Sequence, residues 1–395
     1  MTSLFSEGYR RNPYPVLARL RERGSVFHDP ASGTWMLLRY DDVKCALASH
    51  EVFSSVVSPP GTLTSDWLIF ADPPHHARLR ALIMRAFTAR AVGTLEQRIH
   101  ERISTLLEDA QRGGNVDFVR DIAVPFPLTV IAEMLGAPTD DLPRYRRWTD
   151  AIVALSHTVS GGPGLERAVE CARHANGEMR AYLPPLLEER RVRARDDLLS
   201  RLVLTDVDGE RVSDDEILGF FQLLLLAGHE TTTNLLSNAV LAFDEYPDQL
   251  ALLRAAPGLL EPAIEEVLRF RSPVQTVFRH TRREVNVGDE TIPAGAMVLL
   301  MLGAANRDPS RFDRPDRFDI AREAVPHVGF GHGIHYCIGA PLARLEARIA
   351  LEELYRRFER IERADDSPWE PREAFHVHGP SRLPVRLVRR EFSEC

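Results

Sequence analysis

The chain predicts a mainly α fold with a smaller β region, on three observations. From about Pro74 to Tyr246 apolar residues recur at helical spacing, broken only at Pro and Gly clusters. After Arg269 the pattern changes to short alternating runs separated by turn residues. At Pro341 helical spacing returns, in PLARLEARIALEELYRRFER.

In chain order, Tyr14 to Arg23 is a short helix and Gly33-Thr34-Trp35-Met36-Leu37-Leu38 is strand-like. Ser213-Asp214-Asp215-Glu216 is a capping box: Ser213 caps, Glu216 reaches back, and the acids complement the helix dipole. The helix it starts runs to about Tyr246, before Pro247, roughly 50 Å at 1.5 Å per residue. Glu284-Val285-Asn286-Val287 and Met297-Val298-Leu299-Leu300 read as strands, with turns at Gly288-Asp289 and Pro293-Ala294-Gly295. Short strands are expected again from Phe375 to Val388. The helix-rich lobe covers roughly 74–270 and 340–360, and the β-rich parts roughly 25–45 and 274–303. Without an internal repeat or low-complexity linker, residues 1–395 are expected to form one domain with two unequal lobes. Ser54 to Asp66, with Pro59, Pro60 and Gly61, and Ser156 to Gly164, with Gly161-Gly162-Pro163-Gly164, read as surface connections or as mobile access loops.

Composition narrows the function. A net charge of −8, with no basic stripe interleaved with aromatics, excludes general nucleic-acid binding, and 44% hydrophobic residues supply an extended core. The longest apolar run, near Ile217 to Gly228, is too short to span a bilayer, and the N-terminus holds no anchor or signal, so a soluble cytoplasmic protein is expected. The four cysteines lack metal-ligand spacing, which argues against a zinc site or disulfide framework, and Cys45, Cys171 and Cys395 are read as structural or incidental.

Cys337 differs. It stands in Phe330-Gly331-His332-Gly333-Ile334-His335-Tyr336-Cys337-Ile338-Gly339, just before a helix whose N-terminus favours a thiolate. Gly331, Gly333 and Gly339 remove side chains where a flat macrocycle must approach backbone. A lone cysteine is otherwise a small buried hydrophobe. Midway along the long helix lies Ala227-Gly228-His229-Glu230-Thr231-Thr232. Gly228 costs about 1 kcal/mol there relative to Ala, so something should need the room. Ala227, Gly228 and Thr231 share a face that could seat a diatomic ligand. Two readings stay open: a proton relay through Glu230 and Thr231, or a threonine bonded back to its own helix beside a solvated surface acid.

The cysteine loop resembles that of the cytochrome P450 monooxygenases at Phe330, Gly331, Gly333, His335, Cys337 and Gly339. Glu266-Val267-Leu268-Arg269, Ala305-Asn306-Arg307-Asp308-Pro309 and Phe312…Pro315…Phe318-Asp319 extend the resemblance, which runs from about Asn12 to Arg348. It implies a triangular-prism fold with haem b (iron protoporphyrin IX) between the long central helix and the cysteine loop. Cys337 would bind the iron. His76, Arg80, Arg279 and His335 would hold the propionates, and Ala227 and Gly228 would line the O2 groove, with Phe330, Gly331 and Gly339 around the haem. Glu230 and Thr231 would deliver protons, and Glu266 and Arg269 would be structural. Leu223, Leu226, Ala227, Val274, Gln275 and Thr276 would line a pocket for a largely apolar small molecule, with Gln275 or Thr276 offering a hydrogen bond. The activity implied is hydroxylation or epoxidation in bacterial secondary or xenobiotic metabolism, a source consistent with Lys44 being the only lysine. With no convincing flavin or NAD(P)H motif and no iron–sulfur cysteine cluster, electrons from NAD(P)H would come through a ferredoxin or flavodoxin with its reductase. The partner would dock at Arg344, Arg348 and Arg85 or Arg90 of a monomer. A peroxide-dependent or phenol-coupling enzyme of the same fold, or a haem sensor, are the alternatives.

Overall fold

The computed structural model describes residues 6–30, 32–57, 62, 64, 67–87, 92–93, 95–113, 116–156, 164–207, 209–365 and 368–389. Much of the loop between Ser54 and Asp66, including Pro59, Pro60 and Gly61, lies outside them, as do Gly161, Gly162, Pro163, Arg90 and Cys395.

The central helix, Asp214–Glu245, begins where the capping box places it. Ser213 Oγ accepts from the Glu216 amide at 3.2 Å, and the Glu216 carboxylate accepts from the Ser213 amide at 2.8 Å. Nearly every turn of this helix is buried, and other helices pack around it. Prominent among them are Glu96–Gly113, Pro125–Leu135, Leu142–Ser156, Leu165–Val192, Leu260–Phe270 and the C-terminal helix Ala340–Arg357. No described helix is long and apolar enough to cross a membrane.

A five-stranded sheet covers one side, in the order Val26–Asp29, Thr34–Leu37, Met297–Leu300, Val277–Thr281, Phe53–Ser54. The Thr34–Leu37 and Met297–Leu300 strands run parallel, and the other pairs are antiparallel. Helix Tyr40–Ala48 occupies the end of the stretch expected to be β-rich. At the C-terminus Phe375 lies between strands Glu370–Pro371 and Pro380–Arg382, not in one. The outcome is the mainly α fold with a smaller sheet region that the sequence predicts.

Below the cysteine loop, Glu266 and Arg269 form a fully buried two-bond pair at 2.7 and 2.8 Å. The other guanidinium bonds go to the carbonyls of Asn306, Pro315 and Arg317. Asn306 Oδ1 in turn accepts from the Val328 amide at 2.8 Å, tying this network to the start of the cysteine loop.

Candidate active site

The cysteine loop closes on itself. Cys337 N–H donates to the Phe330 carbonyl at 3.0 Å, and Tyr336 N–H to that of Gly333 at 3.0 Å. Gly331 and Gly333 take φ of 74° and 70°, where a side chain is strained, and a Cβ on Gly333 would lie 2.7 Å from the Leu47 carbonyl. A Cβ on Gly339 would meet only the Cys337 sulfur, at 3.9 Å. The expectation of a ready-made thiolate is corrected: burial pushes the Cys337 thiol up. That outweighs the Gly339 and Ala340 amides, which donate to the sulfur, and the nearby Arg80 and Arg344 guanidiniums.

Four predicted residues converge beside the loop. The His76 and His335 rings lie 4.3 Å apart, and Arg279 and Arg80 are close enough to depress His335 electrostatically. Burial, then like charge, pushes His76 to about 4 and His335 to about 3. Burial also lowers Arg279 to about 10; its Nη1 donates to the Phe278 carbonyl at 2.7 Å. Arg80 Nη2 donates to the Tyr336 carbonyl at 2.8 Å, and His335 Nε2 pairs with Ser55 Oγ at 2.9 Å. His76 is buried with both ring nitrogens unbonded. Bare buried donors among guanidiniums are what a bound dianion would satisfy. Asp72, which sequence reasoning missed, organises the rim by accepting from Ser54 Oγ at 2.5 Å and the Ser55 amide at 3.1 Å.

On the central helix, Leu224, Ala227, Gly228 and Thr231 keep exposed surface at i, i+3, i+4 and i+7, so one short face is not covered by packing. Thr231 Oγ1 donates to the Ala227 carbonyl at 2.7 Å, which is the back-bonded alternative. Glu230 is no solvated surface acid: it is buried, its Oε1 has no hydrogen-bond partner, and Arg372 Nη1 stands 3.7 Å away. Burial pushes its carboxyl up, with Arg372 opposing. A Cβ on Gly228 would lie 2.6 Å from Ile131 Cδ1, so helix packing also needs the small residue there.

The pocket expectation needs correcting as well. Gln275 is buried, donating to the Ser272 carbonyl at 2.7 Å and pressed against Gly303, while Thr276 Oγ1 donates to the Leu300 carbonyl at 3.1 Å. Both groups are thus spent on backbone carbonyls. Leu223 is buried in the core, whereas Leu226 and Val274 keep exposed surface. The arginines expected at a docking surface are already paired: Arg344 holds Glu265 with two bonds and lies over the Phe330 ring, and Arg348 pairs with Glu96. Arg85 is exposed.

A glycine-rich cysteine loop beside a cluster of two imidazoles and two guanidiniums, with an acid–alcohol pair on the long central helix, defines a class of haem-thiolate protein. The cytochrome P450 family profile matches residues 27–256 and 257–382, and the chain belongs to that family. It is 43% identical to the cyclomarin C epoxidase CymV of Salinispora arenicola, over 89% of this chain and 90% of that protein. It is 40% identical to the vitamin D(3) 25-hydroxylase of Pseudonocardia autotrophica, over 97% of this chain and 96% of that protein. The structure of cytochrome P450 CYP109Q5 from Chondromyces apiculatus superposes with a TM-score of 0.89 at 39% identity, covering 98% of both chains. The protein is thus a P450-type oxidoreductase of the kind that carries haem and uses O2. The bare His76 nitrogens, the Arg279 guanidinium and the open side of Gly339 fit that group.

Proposed function

We propose that this chain hydroxylates or epoxidises a bulky, largely apolar small molecule of bacterial secondary metabolism. The observation that carries the reading is the convergence of His76, Arg80, Arg279 and His335 beside the Cys337 loop, with the His76 nitrogens unbonded. Haem bound there supplies the oxidising power that inserts one atom of O2. Cys337 ligates it as a thiolate, and the amides of Gly339 and Ala340 spread the charge on sulfur. The imidazoles and guanidiniums orient the group through its carboxylates. With haem held there, the Thr231 hydroxyl, now donating to the Ala227 carbonyl, would be the group that hands on a proton, and Glu230 would be the acid that resupplies it. Leu226 and Val274 keep the pocket apolar and exclude water.

The substrate class follows from the relatives named as acting on cyclomarin C and on vitamin D(3). An acidic ferredoxin or flavodoxin delivering electrons from NAD(P)H would meet Arg85, Arg344 and the exposed Tyr336 on the cysteine side.

The test is the reduced carbon monoxide spectrum of the wild type and of Cys337→Ser, followed by titration of the ferric protein with secosteroids, macrolides and cyclic peptides. A thiolate signature lost in Cys337→Ser, with one class displacing iron-bound water, is expected. Turnover under isotope-labelled dioxygen should then place one labelled atom in the product. Product formed without label sinks the monooxygenase reading in favour of peroxide-driven or coupling chemistry.

A further inference from the structure

Glu230, Asn234 and Asn238 stand four residues apart on the central helix and so share one buried face. Against that face lies the C-terminal segment between strands Glu370–Pro371 and Pro380–Arg382. Asn238 Nδ2 donates to the His378 carbonyl at 2.9 Å, and Asn234 Oδ1 accepts from Arg372 Nε at 2.8 Å. Gly379 makes this fit possible, because a Cβ there would come within 2.4 Å of Asn234 Oδ1.

The backbone of Arg372 is fixed twice more. Its N–H donates to the Gly379 carbonyl at 3.1 Å, and its carbonyl accepts from Arg10 Nη1 at 3.0 Å. The neighbouring Arg11 donates to the Trp369 carbonyl at 2.9 Å, so helix Glu7–Arg11 clasps the segment from outside. With its base held, the guanidinium presents Nη1 to Glu230 at 3.7 Å, too far for a hydrogen bond but within strong electrostatic reach. The carboxyl therefore feels the charge without being bound by it, and Oε1 keeps an unused acceptor site.

Resting on the relay reading above, we propose that Arg372 is the positioning residue that holds Glu230 poised and sets the pH at which it passes protons. The first helix belongs to this device because it fastens the Arg372 backbone. The other groups facing Glu230 and Arg372 are Asp150 and Arg146 from helix Leu142–Ser156 and His229 on the central helix. Asp150 opposes Arg372 at Glu230, and its side chain is 68% exposed, which places an acid in solvent contact at the outer edge of the cluster. His229 is fully buried and pushed to about 4, so it stays neutral near pH 7 and leaves Arg372 as the cation in balance with Arg146 and Asp150.

The test uses the ferric haem-loaded protein without substrate. The infrared carboxyl band that disappears in Glu230→Gln is followed through a pH titration. Arg372→Gln should move its midpoint upward by about one pH unit, a tenfold change, since removing a nearby cation favours the neutral acid. Arg372→Lys should return it toward the wild type, and Arg10→Gln should move it in the same direction by less. An unchanged midpoint in Arg372→Gln overturns the proposal, and an unchanged one in Arg10→Gln removes the first helix from it. Should Arg372→Gln fail to load haem, Arg372→Met, which also removes the charge, decides: a raised midpoint supports the proposal and a wild-type midpoint overturns it. Oxygen consumption with a surrogate ferredoxin and reductase separates the two readings. If Glu230→Gln consumes oxygen like the wild type while the midpoint still moves, the relay has failed and the electrostatic coupling alone stands.

Discussion

Two glutamate–arginine pairs with buried acids are built in opposite ways in this molecule. Glu266 and Arg269 are saturated: the carboxylate takes two bonds from the guanidinium, one from the Asp319 amide at 3.0 Å and one from Arg322 at 3.2 Å. Glu230 and Arg372 share a charge interaction at 3.7 Å, and one carboxylate oxygen has no partner. A saturated network in a low dielectric has one arrangement, and moving any member orphans several others. An unsaturated pair keeps an acid with an unused acceptor site. The difference separates a brace from a moving part more clearly than burial does, since both glutamates are buried.

The sharpest way to break that distinction is to remove Glu266. Glu266→Ala strips Arg269 of its carboxylate while leaving it buried, and should cost about 3–5 kcal/mol in urea unfolding, with poor haem retention. A cost below about 1 kcal/mol would mean that saturation carries no structural weight here.

That brace was expected from the family resemblance, since an i, i+3 Glu–Arg spacing permits an ion pair but is too common to mark one by itself. The central helix was legible in the sequence, because its cap is local. The cysteine loop was legible for the same reason. What stayed hidden depends on pairs far apart in the chain. Arg372 meets Asn234 across 138 residues, and Asp72 meets Arg282 across 210. No periodicity marks such partners. The packing role of Gly228 was missed and Gln275 misread for a related cause: the sequence shows a missing or a polar side chain, but the neighbour that uses it, Ile131 or Gly303, belongs to another element. Sign was the third failure, at Cys337, where a helix N-terminus is visible in sequence and the opposing burial is not.

A second, smaller effect comes from acid. Burial pushes His229 to about 4 and His378 to about 3, below the ordinary imidazole value near 6.5. In that window the unfolded chain binds more protons than the folded one, so stability falls as pH drops from about 6.5 toward 4, and is fully present above 6.5. His229 Nδ1 lies 2.6 Å from the Leu225 carbonyl, so the neutral ring donates there. His229→Asn keeps a donor and removes the titration, and it should flatten part of the slope of unfolding free energy against pH. An unaltered slope would show that the loss in acid arises elsewhere.

Glu230→Gln should then invert the Glu266 result. Arg372 keeps its bond to Asn234 and part of its exposure, so unfolding should change by about 1 kcal/mol or less. Proton-dependent turnover should fall by about a hundredfold, because a positioned acid typically contributes that much. Thr231→Ala should keep haem and substrate binding while product per electron consumed falls and peroxide rises. A Glu230→Gln variant that is badly destabilised yet turns over normally would make the two pairs the same kind of object.

The smallest effect belongs to a pair at the surface, which completes the scale. Arg348 bonds Glu96 at 2.5 Å and lies 3.6 Å from Glu352, but its side chain is 29% exposed and those of the acids about half exposed. Water and salt already solvate such charges, so Arg348→Ala should cost about 0.5 kcal/mol at low salt and almost nothing near 1 M, where the Debye length is about 3 Å. If Arg348 also meets an acidic electron donor, its loss should slow first-electron delivery at low salt more than it alters stability. A cost near that of Glu266→Ala would show that bond number, not exposure, governs these pairs. A cost that vanishes with salt would assign the large effects to burial with saturation, and leave Glu230 as the buried acid whose missing bond is functional.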